Sequence, residues 1–172
     1  MTAFLESAPS GVLWLVFFVA ASIPITFVHE LGHALVARRR LGGEVEIVVG
    51  TVGKIAELQL ARIRISINAL ADPRAAAGTA TFDVHRATAR DVLLIALAGP
   101  TASLACAALT GCAMSLLPPG RAHDALWAAT FAGVFSLLLN LVPYKLTKRR
   151  KLAGVSSDGL LALEALRLMR GV

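Results

Sequence analysis

Hydrophobic and polar positions divide the chain into three long apolar blocks, one alternating block and one short block of helical spacing. The apolar blocks, Gly11 to Val28, Val92 to Leu117 and Ala125 to Val142, contain no Asp, Glu, Lys or Arg. A helix rises 1.5 Å per residue and the hydrocarbon of a bilayer is about 30 Å thick, so about 20 residues cross it. The pattern therefore predicts three membrane-spanning helices, at 11–40, 91–117 and 124–143. The first continues past its apolar block to Arg40 and ends at Gly42-Gly43. Pro24 lies inside it, where it removes one backbone hydrogen bond and predicts a bend.

Between Glu44 and Val84 the period changes. Arg62-Ile63-Arg64-Ile65-Ser66-Ile67-Asn68 alternates polar and apolar without a break, and Glu44 to Val49, Glu57 to Leu60 and Thr81 to Val84 do so more briefly. Gly50, Gly53, Asp72-Pro73 and Gly78 punctuate them. This predicts a small antiparallel sheet of three or four strands at 44–84, its apolar face against the helices or the lipid headgroups. An exposed edge of such a sheet can pair with an extended peptide. The last block, 158–170, has helical spacing with Leu160, Leu163 and Leu166 to one side, and Ser157 or Asp158 is placed to cap it. The fold class is thus a mainly α membrane protein in a single membrane-embedded domain, 1–172, with the sheet inserted between the first and second spans.

Composition supports the bilayer. Of 172 residues 56% are hydrophobic, and the mean hydropathy of +0.71 is too high for an ordinary soluble domain. Val19-Ala20-Ala21 resembles a signal-peptide cleavage site, but no Lys or Arg precedes it, and the segment reads as a retained span. The net charge of +6 follows topology and not nucleic acid. Nine basic residues lie between Arg38 and Arg90, one in the loop from Pro118 to Asp124 and seven after Tyr144, which accounts for all 17. Basic loops stay inside, so the amino terminus is expected outside and the 38–90 segment and carboxyl tail in the cytoplasm, in the plasma membrane of a prokaryote. Lys148-Arg149-Arg150-Lys151 would meet anionic headgroups. Cys106 and Cys112 fall on different faces of one helix and read as packing residues, not a disulfide.

The chemistry gathers at the end of the first span, in His29-Glu30-Leu31-Gly32-His33. Residues four apart share a helix face, so two imidazoles converge on one divalent ion with Glu30 beside them. Average residue usage gives this pattern by chance in about one chain of this length in a few hundred. A catalytic zinc keeps an open position and lowers the pKa of water there toward neutrality, and a glutamate can take that proton and pass it to the leaving amine. A carboxylate inside a span is costly unless it faces the bundle or a wet cavity, which marks Glu30 as functional. Two further features stand out. Ala98-Gly99-Pro100-Thr101-Ala102-Ser103 interrupts the second span with small residues and a proline, which permits close packing. Asn140, ahead of Pro143, is an amide in an apolar run and needs either a helix–helix hydrogen bond or a substrate contact.

Taken together, His29 to His33, Gly99-Pro100, Asn140 to Pro143 and Asp158-Gly159 resemble, over nearly the whole chain, the site-2 protease family of intramembrane zinc metalloproteases. The resemblance implies one Zn2+ per chain, with His29, His33 and Asp158 as ligands, Glu30 as general base, and Asn140 holding the substrate backbone or the transition-state oxygen. It implies cleavage within or beside a transmembrane segment of a membrane-anchored substrate near the cytoplasmic face, with a regulatory membrane partner possible. A compact form is expected, without the added peptide-binding or nucleotide-sensing domain that many relatives carry. It departs from the family in two places. Ser103 stands where an Asn is usual, and residues 145–157 separate Pro143 from Asp158. Such an insertion loops out at modest entropic cost. Asp72, Asp83, Asp91, Glu44, Glu46 and Glu57 are the other acids that could complete the metal site. These departures motivate an alternative, a non-catalytic relative that binds transmembrane helices as chaperone or regulator. A metal transporter or sensor is a third reading, disfavoured because the polar residues gather at one end of the spans and not along them.

Overall fold

The computed structural model of the chain describes residues 11–50, 52–69, 78–83, 85, 87–145 and 156–171. The Asp72-Pro73 turn, Val84, the basic run Lys148 to Lys151 and most of the 145–157 insertion lie outside these residues. The elements run α1 (Gly11–Leu41), β1 (Val45–Val49), β2 (Val52–Leu60), β3 (Ile63–Ala69), β4 (Gly78–Thr81), α2 (Ala89–Ser115), α3 (Arg121–Leu141) and α4 (Asp158–Arg170). Three helices, α1, α2 and α3, are long and apolar enough to cross a membrane.

The apolar blocks set these helices to within a few residues. α1 runs through Pro24 and stops where Gly42 and Gly43 take φ of 72° and 81°. α2 starts two residues earlier than expected because Thr88 and Asp91 form a reciprocal capping box. The Asp91 carboxylate also accepts from Arg40 Nε at 2.7 Å, tying the end of α1 to the start of α2. α3 begins at Arg121, inside the expected loop.

Small residues let the helices approach. A Cβ on Gly32 of α1 would lie 2.6 Å from the Ala98 carbonyl of α2, and one on Gly133 of α3 would lie 2.9 Å from Ala107 Cβ. Thr130 Oγ1 donates to Thr110 Oγ1 across the α2–α3 contact at 2.9 Å. Toward the other end of α1, Trp14 and Phe18 interleave with Trp127, Phe131 and Phe135 of α3, ring centroids 5.4 to 6.1 Å apart. The packed face of α4 is not its leucines. Ala162 and Ala165 are buried, while Leu163 and Leu166 are exposed, because close helix contact favours the smaller side chain. Cys106 and Cys112 are free thiols.

The sheet corrects the antiparallel expectation. Its order is β2-β3-β1-β4, and β1 pairs with β3 in parallel, the other two pairings being antiparallel. Alternation reveals which face a residue occupies but not strand order. The burial explains the order: Val45, Ile47 and Val49 of β1 and Ile63 and Ile65 of β3 form the buried centre, packed with Ala34 and Ala37 of α1 and Ile95 of α2. β2, carrying Lys54, Glu57 and Gln59, takes an edge. Gly50, at φ 80°, makes the sharp exit from β1, where any Cβ would strike the Asn68 carbonyl. β4 lies three residues earlier than the Thr81 to Val84 alternation suggested, since Gly78 to Thr81 are the residues paired with β1.

Candidate metal centre

Three of the residues singled out in the sequence come together. His29 and His33, one turn apart on α1, point Nε2 at a common position that Asp158 reaches from the first turn of α4. His29 Nε2 lies 3.1 Å from His33 Nε2 and 3.0 Å from Asp158 Oδ2, and His33 Nε2 lies 3.3 Å from the same oxygen. Ligands on three corners of a tetrahedron, each about 2.0–2.1 Å from zinc, stand about 3.3 Å apart, so this triangle matches one face of such a site. Two neutral imidazoles and a carboxylate are a donor set found in open zinc sites and in non-haem iron(II) sites alike.

The far side of each ring is held as well. His33 Nδ1–H donates to the Ile95 carbonyl at 2.7 Å. A carbonyl only accepts, so the proton sits on Nδ1 and the Nε2 lone pair faces the site. His29 Nδ1 lies 2.9 Å from Ser103 Oγ. Gly99 makes room for the His33 ring, because a Cβ there would overlap its Nε2. Ile95, Gly99 and Ser103 all belong to the α2 stretch interrupted by Pro100, whose absent N–H leaves the carbonyl of Ala96 unpaired within the helix, one residue beyond the carbonyl His33 uses.

Asp158 arrives because the insertion closes at its base. Tyr144 N donates to Ser157 Oγ at 3.0 Å, Ser157 N donates to the Tyr144 carbonyl at 3.0 Å, and Lys145 bridges to Ser156. Ser157 Oγ also accepts from Leu160 N, capping α4. The cap is therefore Ser157, which frees Asp158 to face the histidines. Gly159 sits against the Leu141 carbonyl at the end of α3, where no side chain fits.

Glu30 is buried beside the triad and interacts electrostatically with all three of its members. The backbone of Ala80 hydrogen-bonds its carboxylate, and a Cβ on Gly78 would lie 2.8 Å from Glu30 Cγ. Strand β4 thus lies over the acid. Asn140 is placed differently: its Nδ2 donates to the Ser136 carbonyl at 2.9 Å, within its own helix. The other acids are engaged elsewhere or apart from this centre. Asp91 pairs with Arg40, Glu57 with Lys54 and Arg64, and Asp83 accepts from His85 N. Among the described residues the His29-His33-Asp158 group is the one that gathers three metal-ligating side chains. Asp72 lies outside them. Ser103, Ile95, Gly99, Gly78 and Ser157 were not identified as site residues from sequence.

Fold and site together define a class: a mainly helical chain with three spans' worth of apolar helix and a His-His-Asp group, its histidines buried and its aspartate partly so, that could hold a metal. In comparisons with known proteins, no family model and no curated protein matches the chain.

Proposed function

We propose that the chain is a zinc-dependent intramembrane endopeptidase of the site-2 protease type, cutting a membrane-anchored substrate within or beside its transmembrane segment near the cytoplasmic face. The observation that carries this reading is the convergence of His29, His33 and Asp158 on one position with Glu30 beside it, since a structural metal site has no use for an adjacent buried carboxylate. Zinc, when bound, supplies Lewis acidity that activates water and polarises the scissile carbonyl. Glu30 accepts the proton of the attacking water and returns it to the amine that leaves. His29 and His33 hold their ring planes through Ser103 and the Ile95 carbonyl, and Asp158 completes the charge balance from α4.

A substrate helix hides its carbonyls in its own hydrogen bonds and must unwind before one is reached. β4, an edge strand lying against Glu30, is the element along which an unwound segment would pair as an added strand. The alternative, a non-catalytic helix-binding relative, drew on Ser103 and the long insertion. Ser103 touches His29 and the insertion's closed base delivers Asp158, so both departures serve the site.

The test is cleavage in proteoliposomes carrying a panel of single-span substrates. Wild type should cut at least one near the cytoplasmic boundary, and Glu30→Gln should lose more than about 100-fold in rate, the scale of general-base catalysis. A Glu30→Gln protein as active as wild type would end the protease reading, and one that keeps full cellular function would favour the non-catalytic binder.

A further inference from the structure

An imidazole that ligates a metal through Nε2 must carry its neutral-state proton on Nδ1. For His33 the Ile95 carbonyl settles the matter. For His29 the partner is a hydroxyl, which either accepts or donates, so the direction depends on what stands behind it. Ser103 is fully buried, at 0% exposure, and water does not compete for it. Behind it on α3 lies Ser136 Oγ at 3.4 Å, and Asn140 Nδ2 lies 2.9 Å from the Ser136 carbonyl and 3.5 Å from its Oγ. The string His29–Ser103–Ser136–Asn140 crosses from α1 through α2 to α3. α3 comes so close to α2 here that a Cβ on Gly133 would be 3.2 Å from the Ser103 carbonyl.

We propose that Ser103 is a positioning residue that accepts from His29 Nδ1–H and passes its own O–H to Ser136, fixing the His29 ring and tautomer so that its Nε2 lone pair faces the metal position. Asn140 then belongs to the rear of this string and orients Ser136. The proposal rests on the metal-centre reading, yet the hydrogen bond itself exists without metal, which makes the two separable. A serine is suited to the position because its one oxygen accepts and donates at once. Alanine does neither.

The experiment uses the full chain in detergent micelles with 15N-labelled histidine, of which the sequence has four. Wild type, Ser103→Ala, Ser103→Thr and Ser136→Ala are compared by the ring nitrogen shifts of His29 and by titration with cobalt(II) alone against a competing chelator. Ser103→Ala should remove the Nδ1–H preference of His29, leave that of His33 intact, weaken cobalt binding by roughly 10–100-fold and alter its d–d absorption. Ser103→Thr, which keeps the hydroxyl, should recover most of the loss, and Ser136→Ala should show a smaller shift in the same direction. The His33 signal serves as the control for folding. Wild type that binds cobalt while Ser103→Ala matches it in tautomer, affinity and spectrum overturns this inference alone. Wild type that binds no cobalt overturns the metal reading and this inference with it.

Discussion

His33 is enclosed from two directions, by the Ile95 carbonyl on its Nδ1 and by the bare Cα of Gly99 at its Nε2 side. A methyl group at Gly99 has nowhere to go except into the ring, so Gly99→Ala should displace His33, with overpacking costing about 1–3 kcal/mol. Thermal unfolding in detergent and metal retention after gel filtration check this: a lowered midpoint and at least tenfold weaker retention are expected, and wild-type behaviour in both would contradict the packing described. At this scale the sequence is partly transparent. His29, Glu30 and His33 are legible because helical spacing alone puts them on one patch. Asp158 is 125 residues further on than His33, and no spacing rule links them; only the family resemblance singled it out. The partners behind the rings were invisible for a physical reason. One is a main-chain carbonyl, which every residue possesses, and the other is a serine in a helix full of small residues. Asn140 was visible as an amide needing a partner, but the partner it takes, the Ser136 carbonyl one turn back in its own helix, is neither of the two expected.

Elements decide how these residues meet. α4 reaches the site because Gly159 accepts the Leu141 carbonyl at its surface and because Tyr144 and Ser157 pinch the insertion shut. β4 closes the site from the sheet side. The backbone of Ala80 hydrogen-bonds Glu30, so its N–H is directed away from β1, and Ala80→Pro removes that donor without breaking the ladder between the two strands. The variant should unfold within a few degrees of wild type yet cleave a single-span substrate at least tenfold more slowly; unchanged cleavage would remove β4 from the mechanism. The helices were legible because twenty apolar residues in a row have few other uses. The strands were legible by face, since Ile63 and Ile65 alternate with Arg64, but pairing was not. The parallel β1–β3 contact follows from which strands are apolar enough for the centre, a comparison between strands that no single alternation contains.

In the whole molecule, the candidate metal position is the meeting point of helices far apart in sequence. α1 brings two imidazoles and the acid, α2 holds both rings from behind, α3 supports Ser103, and α4 adds the carboxylate. The sheet covers Glu30, and Arg40–Asp91 locks α1 to α2 close by. Such a centre forms only if all four helices pack, so metal occupancy reports on the entire arrangement. The most direct measurement is zinc content by mass spectrometry on detergent-purified wild type, Glu30→Gln and Asp158→Ala, each stripped by chelator and reloaded. One zinc per chain in wild type, the same in Glu30→Gln and a loss of most of it in Asp158→Ala is the predicted result. Wild type that takes up no zinc, or Asp158→Ala that binds it as tightly as wild type, would contradict the metal centre on which the proposed function stands.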